Sequence, residues 1–128
     1  MNLDREPAAM ADAAAEEIRA LNHKTLPPGA FTYPSEVYDT VMALRMATER
    51  LPQALQQIGS ALNAQLAAGT VRIDDGSDAA PAVARALSAL ESAQAMAQSL
   101  GVVLDVAVQS LGSMSFKAPA GWDDGAED

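Results

Sequence analysis

Hydrophobic positions from residue 35 to residue 68 recur alternately three and four residues apart. This spacing is typical of a helix that packs one apolar stripe against another helix. Ser35 is a favourable N-cap and Gly69 a favourable C′ residue, so the sequence predicts a helix over residues 35–68. Because the apolar phase continues through Pro52, we expect one kinked helix, the alternative being two helices that meet near residues 50–51. The stripe comprises Val37, Val41, Leu44, Thr48, Leu51, Leu55, Ile58, Leu62 and Leu66.

A second long helix is predicted over residues 79–112, with Ser77 or Asp78 as its N-cap and Pro81 in its first turn. Many of its residues are alanine, which would let a neighbouring helix approach closely, and Gly101 would permit a tight crossing. The polar stretch between the two long helices predicts a turn, in which Val71 and Ile73 could pair briefly as a strand edge. The stripe of this helix comprises Val83, Leu87, Leu90, Ala97, Leu104, Val108 and Leu111, widened by Leu100, Val103 and Ala107.

The N-terminal part of the chain predicts a shorter helix over residues 8–22, with a narrow apolar stripe. Two adjacent prolines and a glycine at 27–29 end it, and we expect this linker to lie along the surface of the bundle. Residues 1–7 and the acidic tail at 113–128 are expected to be disordered. The predicted fold is therefore all-α: a short N-terminal helix plus a long antiparallel helical hairpin, as a three-helix bundle or, on dimerisation, a four-helix bundle.

Composition narrows the possible functions. The 128-residue chain has 17 acidic and 8 basic residues, a formal net charge of −9 and no cysteine. The charge argues against direct binding of nucleic acid and against a polybasic membrane patch. No apolar run is long enough to span a membrane, and residues 1–9 do not resemble a signal peptide. We therefore expect a cytoplasmic protein, with signal-independent export left open.

Few residues suggest chemistry. His23 would be a catalytic base or, more simply, a residue that complements the C-terminal dipole of its helix. Asp74, Asp75 and Asp78 resemble part of a calcium loop, but the twelfth position from Asp74 is Arg85 where such a loop needs a glutamate. A turn and a helix N-cap explain the same residues. The sequence therefore predicts no enzyme, no metal site and no cofactor.

A second apolar strip beside the main stripe is the predicted partner surface. It consists of Tyr38, Met42 and Met46, although methionines also commonly fill gaps in a core. Trp122 in the acidic tail is either a short docking motif or part of a solubilising tail. The residues predicted to bind a partner, a second copy or another helical protein, are Tyr38, Met42, Met46, Leu51, Leu55, Ile58 and Leu62.

Two resemblances bear on function. The segments at 15–23, 33–38 and 50–55 (AEEIRALNH, YPSEVY and RLPQAL) resemble small helical proteins of high-GC actinomycetes, for which no activity is established. The predicted hairpin is also similar to the WXG100 (ESAT-6-like) helical hairpins, which implies a secreted dimer. The turn at 69–77 has no Trp-x-Gly, however, and Trp122 lies in the tail.

These observations predict a non-catalytic interaction or adaptor protein that acts through its hairpin. The first alternative is an acidic inhibitor that mimics nucleic acid, from a phage or mobile element, which would need carboxylates along one folded face. The second is a WXG100-like secreted hairpin.

Overall fold

The computed structural model describes residues 1–123, and within them the regular structure is entirely helical. Three α-helices follow one another: α1 (Pro7–Thr25), α2 (Pro34–Ala67) and α3 (Ala79–Leu111). The all-α fold with a long hairpin is thus confirmed. The helices lie within three residues of the predicted bounds of 8–22, 35–68 and 79–112.

The start of α2 corrects the predicted N-cap. Tyr33 is the N-cap and Pro34 the first helical residue, so Ser35 lies inside the helix. A proline suits this position because its fixed φ matches the helix and its missing N–H would have had no partner there. The cap is provided by Glu36, whose Oε1 accepts hydrogen bonds from the backbone N–H groups of Tyr33 (2.8 Å) and Thr32 (3.0 Å).

Pro52 does not break α2, which is a single helix through that position. The alternative of two helices meeting near residues 50–51 is therefore wrong. Pro52 is half-buried and lies on the side of α2 that contacts α3. The helix accommodates the proline because tertiary packing on both sides of it compensates for one missing hydrogen bond.

The turn between the long helices is fixed by capping. At the end of α2, the N–H of Thr70 bonds to the carbonyl of Gln65 and the N–H of Gly69 to that of Leu66, both at 3.0 Å. This pattern needs a left-handed residue, and Gly69 has φ +75°. At the start of α3, Asp78 is the N-cap and accepts from Ala80 N at 3.1 Å. Residues 70–78 contain no strand, so the suggested strand edge is not formed.

The helices α2 and α3 pack antiparallel along their length. The register is shown by three close approaches: Gly112 lies beside Tyr38, Gly101 beside Thr48, and Gly59 beside Leu87. Within residues 1–123 the buried positions are few and small, as the scarcity of aromatic residues implies. They are Thr48, Gly59, Val83, Ala97 and Val108.

The helix α1 is separate from the hairpin. Within the described residues it makes no close backbone approach to α2 or α3, and none of its residues is buried. The predicted three-helix bundle is therefore not formed. The reason is visible in its composition, because a stripe with only Met10, Ile18 and Leu21 as large side chains offers little area to bury.

The linker and the C-terminal segment meet at the open end of the hairpin. The ring of Phe116 packs edge-to-face on Tyr33, with centroids 4.9 Å apart, and on Trp122 at 5.1 Å. We call these three residues the aromatic cluster. The prediction that the linker lies along the surface of the bundle holds only in part, since Phe31 is half-buried whereas Leu26 is exposed. Residues 124–128 of the predicted acidic tail lie outside the described residues.

Candidate protein-interaction surface

The contact line between α2 and α3 divides the hairpin into two faces. We call this line the seam. In both helices the residue directly after a seam residue points to one face, and the residue directly before it points to the other, because one residue advances the helix by about 100°. The seam residues of α2 are Tyr38, Val41, Arg45, Thr48, Pro52, Leu55, Gly59, Leu62 and Leu66, and those of α3 are Val83, Leu87, Leu90, Gln94, Ala97, Gly101, Leu104, Val108 and Leu111.

One face is polar. It holds an open groove of about 870 Å³, lined by side chains of both helices. Glutamines dominate the groove, at positions 53, 56, 57, 94 and 98. We call this the polar face. Because the groove is lined in both helices by residues that directly follow seam residues, those residues share the polar face, and the residues directly before the seam share the opposite one.

A charged network crosses the polar face near the open end of the hairpin. Arg45 donates a hydrogen bond through Nη1 to Asp105 Oδ1, and its Nε lies 3.5 Å from Glu49 Oε1. The other carboxylate oxygen of Asp105 accepts from Gln109 Nε2 at 2.7 Å. Arg45 Nε is buried and has no hydrogen-bond partner, so the network is held chiefly by the pair between Arg45 and Asp105.

The opposite face is apolar and contains no charged residue. Its largest side chains are well exposed: Leu51 44%, Ile58 55%, Met96 71%, Leu100 50% and Val103 65%. Alanines fill the positions between them. We call this the apolar face; it comprises Thr40, Leu44, Ala47, Leu51, Ala54, Ile58, Ala61 and Gln65 of α2, and Ala82, Ala86, Ala89, Ala93, Met96, Leu100, Val103, Ala107 and Ser110 of α3.

The predicted partner residues do not form one surface. Leu55 and Leu62 are half-buried seam residues, and so is Tyr38, which lies against Gly112 at the open end. Met42 and Met46 directly follow seam residues and therefore flank the polar face. Only Leu51 and Ile58 lie on the apolar face.

The predicted stripe of α2 was partly wrong, because α3 packs against a neighbouring line of residues. Leu44, Leu51 and Ile58 were expected against α3, but Arg45, Pro52 and Gly59 occupy those levels of the seam. Large apolar residues suggested the stripe, whereas the close approach of α3 requires small residues at Thr48 and Gly59, and Arg45 pairs across the seam with Asp105. A second three–four repeat, running from Leu44 through Ala47 to Ala61, was the available signal for the apolar face.

The sequence also underrated the contribution of α3. Leu100 and Val103 are predicted to widen the stripe that packs on α2. Both are instead at least half exposed and lie on the apolar face with Met96, which is 71% exposed. Their spacing of four and then three residues was the signal that could have grouped them.

The residues considered for chemistry have local structural roles. His23 lies in the last turn of α1, as the dipole interpretation predicts. Asp75 accepts from the hydroxyl (2.6 Å) and the backbone N–H (2.9 Å) of Ser77, and these hydrogen bonds lower the pKa of its carboxyl. Residues 1–123 contain no group of three side chains placed to hold a metal ion.

In the described part of the chain, no helix combines the length and hydropathy needed to cross a membrane. No protein family, curated protein or solved structure matches the chain.

Proposed function

We propose that the protein is a non-catalytic interaction protein that binds helical partners through the apolar face. The observation that carries the proposal is the composition of this face. It has five large apolar side chains, each at least two-fifths exposed and separated by alanines, and it has no charged residue. Exposed apolar patches of this extent mark binding surfaces in soluble proteins.

The chemistry of the face favours a helix as the partner. Large residues and alanines alternate along α2 at intervals of three and four, from Leu44 to Ala61. This arrangement forms ridges and shallow grooves that match the side chains of another helix. A β-sheet partner would need a hydrogen-bonding edge and a nucleic acid would need cationic groups, and the apolar face offers neither.

Site-specific photo-crosslinking in cells that express the protein tests the proposal. A benzoylphenylalanine replaces Ile58 on the apolar face, or Ser60 on the polar face as the matched control, two residues away in the same helix. We expect a discrete crosslinked protein from position 58 and not from position 60, identified by mass spectrometry. Absence of any crosslinked protein at position 58, or equal products from both positions, would contradict the proposal.

A further inference from the structure

We propose that the apolar face is the interface of a homodimer, in which two hairpins pack face to face with their turns at opposite ends. The product is an antiparallel four-helix bundle with α2 on α2 and α3 on α3 of the second copy. This inference rests on the proposed function, because it names the partner of the same face.

The size of the face suits a stable dimer. From Thr40 to Gln65 it extends about 38 Å at 1.5 Å per residue, and two helices side by side are about 20 Å wide. The product, about 750 Å² per copy, is close to the ~800 Å² that each partner contributes to a standard protein interface.

Charge also permits two copies to meet here. Each chain has a formal net charge of −9, so any contact between copies must avoid placing carboxylates against carboxylates. Arg45, Glu49 and Asp105 line the groove of the polar face, and no charged residue of the hairpin belongs to the apolar face. In the proposed dimer the two polar faces point outward on opposite sides of the bundle.

The α3 half of the face is self-complementary when one copy is reversed. Pairing Ala93 with Met96 of the second copy places Ala89 opposite Leu100 and Ala86 opposite Val103. Each large side chain then meets an alanine, and the symmetry repeats each pair on the other side of the two-fold axis. Complementary large and small residues give close helix packing without voids.

The α2 half shows the same complementarity. Pairing Leu51 with Ala54 of the second copy places Ala47 opposite Ile58 and Leu44 opposite Ala61. The centre of this pairing lies between Pro52 and Gln53, and the centre of the α3 pairing lies between Gln94 and Ala95. Because Thr48 lies beside Gly101, the α2 centre is level with a point about two residues, or ~3 Å, further along α3. One two-fold axis can therefore serve both helix pairs.

The first test is the mass of the full-length chain in solution, measured by light scattering after size exclusion. Two neighbouring valines provide matched variants: Val103→Glu on the apolar face, 65% exposed, and Val102→Glu on the polar face, 68% exposed. We expect a dimer whose dissociation constant rises at least about 100-fold in V103E, since each copy would bury an unpaired carboxylate. In V102E it should change by less than about threefold.

Circular dichroism separates loss of the dimer from loss of folding, because both variants should retain the helix content of the wild type. A monomeric wild type, or a V103E variant that dimerises as tightly as V102E, would overturn the proposal. A monomer that still gives a crosslinked helical protein from position 58 would overturn the homodimer and leave the proposed function standing.

Disulfide crosslinking tests the register, because the chain has no cysteine of its own. In the double variant Ala86→Cys, Val103→Cys the two thiols are about 25 Å apart in one helix, too far to bond within a chain. Oxidation should yield a covalent dimer. The control pair Ser88→Cys, Val102→Cys, on the polar face, should yield none. A dimer in solution that forms no disulfide in the first pair would overturn the proposed arrangement.

Discussion

Two glycines in the seam should respond oppositely to the same substitution. Gly59 and Gly101 both lie in helical segments that face the other helix. A Cβ at Gly59 would be 3.4 Å from Leu87 Cδ2 and 3.7 Å from Leu90 Cδ1, which is ordinary van der Waals contact. A Cβ at Gly101 would be 3.0 Å from Thr48 Oγ1, which is closer than a methyl group tolerates without movement of its neighbour.

The expected magnitudes follow from these contacts. Replacing a mid-helix glycine by alanine stabilises the helix by about 1 kcal/mol. Gly59→Ala should keep this gain and raise Tm by about 4 °C. At Gly101 the gain is opposed, because Thr48 is buried and its hydroxyl is held by a 2.6 Å hydrogen bond to the carbonyl of Arg45. Disturbing that bond costs about 1 kcal/mol, so Gly101→Ala should be neutral or destabilising.

Urea unfolding at one fixed protein concentration measures both changes, the concentration being fixed because a dimer has a concentration-dependent stability. Thr48→Ala supplies the control. In that background Gly101→Ala should become stabilising by about 1 kcal/mol, whereas the effect of Gly59→Ala should not change. Equal stabilisation of the wild type by Gly101→Ala and by Gly59→Ala would refute the predicted conflict between a Cβ at Gly101 and Thr48.

Three further outcomes follow from local contacts. Glu36→Ala should destabilise the protein by about 1 kcal/mol in urea unfolding, because two backbone N–H groups at the start of α2 lose their acceptor. Ser77→Ala should raise the pKa of Asp75 towards its ordinary value in an NMR titration, because the hydroxyl that lowers it is lost. In the wild type the lowered pKa stabilises the fold at pH values above the pKa that Asp75 has in the unfolded chain. This contribution is lost as the pH falls through the pKa of Asp75 in the folded state. Phe116→Ala should shift the fluorescence of Trp122 to longer wavelength, because the indole loses its ring contact; an unchanged spectrum would contradict the contact.

The helical hairpin could be predicted from the sequence because its signals are local. Gly69 permits the left-handed conformation that ends α2, Asp78 caps the next helix, and the three–four periodicity defines two helices of similar length. The position of α1 could not be predicted in the same way. Whether a helix packs depends on the area that its stripe shares with a neighbour, and periodicity alone does not measure that area.

The face that each residue occupies was harder to predict. In α2 two apolar stripes overlap, and Leu55 belongs to one whereas Leu51 belongs to the other. The packing partner decides between them, since α3 presents Ala97 and Gly101 and therefore approaches the small residues of α2. Pro52 occupies the seam although it is a poor helix residue, which no propensity scale would suggest.

The aromatic cluster connects two segments of the chain at the end of the hairpin that has no turn, because it joins the residue before α2 to a residue after α3. A two-helix hairpin is joined covalently at one end only, so its helices would separate by fraying from the other. Here Tyr33 precedes α2, Phe116 follows α3, and their rings meet at 4.9 Å. The chain thereby forms a closed loop, with a peptide turn at one end and a noncovalent ring contact at the other, and opening of the hairpin must first separate two aromatic rings.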